Sequence, residues 1–330
     1  MQPVGKFTQE ADFRRERDFG AKVGATFEFV VAQFRPLFKC IAYFVLPGAL
    51  LGGIGLGLAM GNFMSGWATA AKPNGGPEFV QNAGFNTFTG TSFVGMALAG
   101  IGFLTAFLLL SSVVYGFVRV RMRTPAQETV QPAQVWAFVW KRLGSVLGAW
   151  LLLGIVLVIG TGVLGGALGL AGPGFVGLLF FPLIWVVVCL TLYFPVLMME
   201  DNGVAAAFRR SFYLMKGKWW SSLGLYMVMS LIMGIVNYVF IIPLYALMIG
   251  RTLLGASLNS EILNIGAMTI YGMGWIFTAT LPLVAMLFQY FNLVERKEGV
   301  GLRLMVDSLG LGAAPQVRNA AYQPDEEGEY

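Results

Sequence analysis

The sequence contains no histidine, and only 12% of its 330 residues are charged. A soluble domain of average composition carries about 25%. At half that share there is too little polar surface to face water, and the mean hydropathy of +0.71 points the same way. The composition therefore excludes an ordinary soluble enzyme and indicates a multi-span membrane protein. The missing histidine excludes imidazole metal sites, His-based acid–base catalysis and Ser-His-Asp triads. Only two cysteines occur, Cys40 and Cys189, with no CxxC pair. That excludes a disulfide framework, and both read as small buried hydrophobes. The opening segment has no apolar run, so no cleavable signal peptide is expected and the first span would serve as the insertion signal.

Long apolar runs are abundant. A spanning helix needs about 20 predominantly apolar residues. Six such runs are expected, near Leu37–Met60, Ser92–Val118, Leu143–Leu170, Phe175–Met199, Ser221–Ile249 and Leu263–Phe291. Pro47, Pro182, Pro195, Pro243 and Pro282 fall inside them, and each should kink its helix by removing a backbone donor. The Gly48/Gly52, Gly53/Gly57/Gly61 and Gly162/Gly166 spacings read as helix-packing faces, since small residues let membrane helices approach closely. The chain divides into a cytoplasmic N-terminal segment (1–36), a membrane domain (37–291) and a cytoplasmic tail (292–330) whose acidic end is expected to be disordered. A short amphipathic helix is expected around Leu302–Leu309.

Charge placement orients the spans. Of the 22 Lys and Arg residues, only Lys72 and Arg251 fall outside the N-terminal stretch through Lys39, the tail and the segments between spans two and three and between four and five. Basic residues collect on the cytoplasmic side. Both termini are therefore expected in the cytoplasm, with the protein in the inner membrane of a bacterium. The net charge of +5 follows topology and does not indicate nucleic acid.

A cytoplasmic amphipathic helix is expected before each odd-numbered span. The first carries Phe19, Val23, Phe27, Val30 and Phe34, with Lys22 and Arg35 at polar positions. The second carries Val135, Trp136, Val139, Trp140 and Leu143, leading through Lys141 and Arg142. The third carries Val204, Phe208, Phe212, Met215 and Trp219, with Arg209, Arg210, Lys216, Lys218 and Trp220 around the stripe. The expected fold is all-α: three hairpins of spans, each preceded by an interfacial helix. Aromatic and basic residues on such helices suit anionic headgroups. Two uses stay open: anchoring at the interface, or docking a specific lipid or a membrane or cytoplasmic protein.

Catalytic chemistry is sparse. No Asp, Glu, Lys or Arg falls in the middle of a span, which disfavours an ion-coupled transporter. Asn237, midway along span five, is expected to make an interhelical hydrogen bond. The best acidic candidate is Glu200-Asp201-Asn202-Gly203. It faintly resembles the Asp-rich motif of CDP-alcohol phosphotransferases, but Asn202 replaces an aspartate and no carboxylate follows until Glu261, so the two-metal site is incomplete. Asp201 or Asn202 is expected to cap the helix starting near Gly203. No phosphate loop, cofactor or metal site is expected.

The stretch from Ala205 to Trp220, Ala-Ala-Ala-Phe-Arg-Arg-Ser-Phe-Tyr-Leu-Met-Lys-Gly-Lys-Trp-Trp, resembles a pattern in six-span bacterial membrane proteins similar to the membrane domain attached to some glycerophosphodiester phosphodiesterases. The resemblance implies a six-span helical fold. It does not carry the phosphodiesterase activity, which resides in a separate barrel domain with catalytic histidines. The expected function is non-enzymatic: a scaffold or accessory subunit. The alternative is a permease or lipid-handling transporter for a weakly polar substrate, and a headgroup enzyme using Glu200 and Asp201 is third.

Overall fold

The structure is a computed structural model that describes residues 7–8, 10–70, 90–171, 176–254, 260–300, 303 and 306. Every element among the described residues is helical: α1 (Glu10–Phe13), α2 (Phe19–Ala32), α3 (Phe34–Phe44), α4 (Leu46–Ala70), α5 (Gly90–Arg121), α6 (Pro132–Ala171), α7 (Val176–Leu190), α8 (Tyr193–Met199), α9 (Val204–Met215), α10 (Trp219–Leu254), α11 (Glu261–Thr278) and α12 (Thr280–Glu298). Five stretches are long and apolar enough to cross a membrane. The pair Phe34–Phe44 and Leu46–Gly61, bent by 57°, makes a sixth if it counts as one span.

Proline sets the breaks. A proline is tolerated in the first turn of a new helix, where its missing N–H has no partner to lose. Accordingly Gln33, Leu192 and Ala279 each start a helix whose proline lies three residues on, at Pro36, Pro195 and Pro282. Pro47 lies just past the bend at Val45. Pro182 and Pro243 sit inside α7 and α10, which run on without a break. So only three of the five prolines expected to kink a span lie at a bend or break.

Spans one, two and six are joined through glycine. A Cβ on Gly55 would collide with the backbone of Ala99, and one on Gly102 with the backbone of Gly52. On the other side of α4, a Cβ on Gly53 would lie 2.6 Å from Thr269 Cα and one on Gly57 2.5 Å from Ile265 Cα, both in α11. Helices this close gain dispersion contact along their whole length. Gly61, Gly162 and Gly166, also expected in packing faces, have open space where a Cβ would sit. Gly162 and Gly166 lie on α6, where only 11% of the apolar window is buried, against 61% for α11–α12.

The interfacial segments differ from one another. The third is separate: α9 ends at Lys216, and Gly217, at φ +83°, makes the turn into α10. The second is not separate, because α6 continues from Pro132 through Leu143 into the membrane run with no proline to stop it. The first is α2, capped by Asp18 accepting from the Ala21 amide at 2.7 Å. Its buried face is Lys22, Ala25, Thr26 and Phe29, not the Phe19–Phe34 stripe, on which Phe19 and Phe34 are exposed. The inner face is defined by Phe29 entering a ring cluster with Phe7, Phe13 and Phe288, at centroid separations of 5.8–6.1 Å. The outer loop beyond Ala70, the Gly172–Gly174 turn and nearly all of the tail lie outside the described residues.

Candidate functional site

The Glu200–Asp201 corner follows α8, where Glu200 turns into extended backbone. It gathers side chains from four helices. Arg142, from α6, donates to the carbonyls of Leu197 (2.7 Å) and Glu200 (3.1 Å) and pairs with Asp201. Arg119, from the end of α5, donates to the Met199 carbonyl and lies 3.5 Å from Asp201. Arg210, from α9, bridges Glu200 (3.2 Å) and Glu298 (2.5 Å). Tyr290, from α12, donates to Glu200 at 3.1 Å, and Asn202 donates to it at 2.6 Å.

This corrects the expected cap. Gly203 is the N-cap of α9 and no side chain caps it, because Asp201 is taken by arginines and Asn202 by Glu200. Burial works against the Arg210 guanidinium, but its hydrogen bonds to Glu298 and Glu200 outweigh that and raise its pKa. The carboxylates of this corner are engaged in fastening helices together. Arg119, Tyr290 and Glu298 were not singled out in the sequence, since nothing local connects residues 80 to 100 positions from the motif.

Around this corner the remaining basic and aromatic candidates divide into two groups. Trp136 is half-buried and stacks on Phe44 at 4.8 Å, and Trp219 donates to the Trp185 carbonyl at 3.2 Å. Beside these candidates Lys297, which the sequence did not single out, donates to the Tyr213 carbonyl and lies 4.2 Å over its ring. The others stand outward: Trp140 is 62% exposed and Trp220 76%, and Lys141, Arg209, Lys216 and Lys218 are exposed beside them. Since α6 and α9 both reach the Glu200 corner, these outward groups lie at one end of the bundle.

A second polar cluster holds the N-terminal segment. Lys22, 3% exposed, donates to Gln289 at 2.7 Å, and Gln289 donates to Ser222 at 2.7 Å. The Arg17 amide donates to Asn292 at 2.8 Å. Burial, with Arg296 nearby, lowers the Lys22 pKa; burial and Arg15 lower that of Arg17 to about 10. Gln289 and Asn292 are three residues apart on one face of α12, a polar pair in an apolar helix and the signal that could have found this contact.

Asn237 is buried and donates to Thr278 at 3.2 Å, joining α10 to α11 as expected. It also lines a crevice with Tyr226, Ser230, Tyr238 and Tyr271. That crevice shares Tyr226, Met233 and Trp275 with a cavity of about 290 Å³ walled by α5, α6, α7, α8, α10, α11 and α12. No family model, curated protein or solved structure matches the chain.

Proposed function

We propose that this is a non-enzymatic membrane protein of the bacterial inner membrane, both termini cytoplasmic, acting as a scaffold or accessory subunit whose basic, aromatic rim engages anionic lipid headgroups or a partner. The observation that carries this is the division of groups at the Glu200 end. The carboxylates there are held by arginines, while Trp140, Trp220, Lys141, Arg209, Lys216 and Lys218 stand outward. Indoles and amines at one level suit the headgroup boundary, each basic residue contributing about 1 kcal/mol of attraction to an anionic leaflet. The positive-inside rule gives the orientation.

The test is reconstitution into bilayers of zwitterionic lipid containing a minority of spin-labelled anionic lipid. Enrichment of the anionic species in the motion-restricted shell, lost when Arg209, Lys216 and Lys218 are replaced by Gln, supports the proposal. An unselective shell, together with a monomer that pulls down no partner, contradicts it.

A second reading, a lipid-handling transporter, is favoured by one feature: the crevice at Asn237 adjoins an apolar cavity among five spans. A headgroup enzyme has less support, because Glu200 and Asp201 are both engaged in cross-helix contacts.

A further inference from the structure

The cavity of about 290 Å³ has an unusual wall. Its lining contains no charged residue. Two of its hydroxyls turn back on their own helices, Ser111 donating to the Leu108 carbonyl at 3.0 Å and Thr191 to the Val188 carbonyl at 2.6 Å. Their protons are spent on the backbone, and the tyrosines Tyr115 and Tyr226 also line the space. Trp150 adds a buried Nε1 donor that has no partner among the described residues.

Two of the three breaks within the spans border this same space. Leu190 and Thr191 flank the α7–α8 break, and Ala279 and Pro282 flank the α11–α12 break. Pro195 and Pro282 lack the N–H that would close the helix onto Thr191 and Thr278. Irregular backbone at membrane depth is tolerated where it is buried in protein or lines a cavity. Two separate breaks on one wall make the space part of the fold.

The space also reaches the outer surface. Leu157 and Val187 on one side and Tyr226 and Trp275 on the other are each 38–42% exposed. Those helices face the hydrocarbon of the bilayer, so the medium at the mouth is acyl chain. An unfilled space would forfeit dispersion contacts along its whole lining.

We propose that the cavity is a binding site for one acyl chain of a membrane lipid, entering sideways from the bilayer, with the Trp150 indole N–H available to an ester or carboxyl oxygen on that chain. An apolar cavity of about 150 Å³ accepts benzene, so this one accommodates roughly twelve carbons. Ions do not fit, because no charged group on the wall repays their desolvation. The inference deepens the lipid-handling reading and rests on the cavity that supports it.

The experiment is photo-crosslinking of the full chain, reconstituted in bilayers, with a phospholipid carrying a diazirine midway along one acyl chain. Adducts are mapped by peptide mass spectrometry. The expected result is adducts on Trp150, Phe194 and Met286 in the wall as well as on Leu151 and Val158, which face outward. Ser111→Phe, which fills the space from α5, should abolish the wall adducts and leave the outward ones. Leu283→Trp, from α12, is the second filling variant, and retained outward adducts report that each variant is folded. Adducts on the outward residues alone, or wall adducts unchanged by both filling variants, overturn the proposal. Lipid movement between leaflets, measured on the same proteoliposomes, is the separate readout for transport. Wall adducts without movement uphold the site and sink the transporter.

Discussion

The two halves of the membrane domain are held by different forces. Around α4, α5 and α11, glycines remove the side chains between helices, and backbone lies against backbone at Gly55, Gly102, Gly53 and Gly57. Around α6 and α10, little of the helix surface is buried, and a side chain at Gly162 or Gly166 of α6 would meet open space. α6 is fastened at one end, where Arg142 reaches the Glu200 corner, whereas α10 is held at its start by Trp219 on Trp185 and mid-span by Asn237 on Thr278 and Phe240 over Gly274. The cavity lies where the two groups meet, lined from α5 and α11 on one hand and from α6 and α10 on the other. In a bilayer apolar surface gains nothing by leaving lipid, so close packing has to come from shape, and where shape is absent polar contacts take its place.

The largest effect should come from filling the glycine contacts. Gly55→Leu drives a side chain into the backbone of Ala99, which cannot yield as a flexible side chain would. Purification in detergent should give no monodisperse protein. Gly162→Ala on α6 meets open space and should change the melting temperature little, or raise it through a helix-propensity gain of up to about 1 kcal/mol. If both glycines respond alike, the contrast between the halves is wrong.

The polar fastening comes next. Glu200→Ala removes the acceptor of Arg210, Tyr290 and Asn202 and leaves partly buried donors unsatisfied, for a loss of about 2–3 kcal/mol. Asp201→Ala should cost about 1 kcal/mol or less, since that carboxylate is 73% exposed and its pairs are solvent-screened. Thermal unfolding of the two variants side by side checks the order. Equal losses would mean the corner does not act through Glu200.

How much of this was legible in the sequence depends on the range of the interaction. The spans were readable because apolar length is local. The inner Gly48–Gly57 face was readable, but nothing in the spacing separated it from Gly162/Gly166, because a packing face is defined by the partner it meets. The Glu200 motif was visible, yet its role was misassigned to capping, because Arg119, Arg142 and Tyr290 come from distant segments. Lys22 was read as a polar position of the first interfacial helix. Its burial depends on Gln289, 267 residues away.

The smallest effect concerns that lysine. Its pKa is lowered in the fold by burial, so between the folded value and the ordinary 10.5 the unfolded chain binds more protons. Stability from this group therefore rises as pH climbs through that window, and below it the protonated lysine carries its full desolvation cost. Lys22→Met should remove this slope from the difference in melting temperature measured between neutral and alkaline pH. An unchanged slope would place Lys22 in water.

The most direct test of the contrast is a pair of spin-label distance distributions in bilayers. One pair, Ile54 with Ile270, spans α4 and α11; the other, Ile101 with Ile159, spans α5 and α6, and all four sites are exposed. The account predicts a narrow distribution for the first pair and a broad one for the second. Equally narrow distributions would contradict it, because α6 would then be held as firmly as the glycine-packed helices.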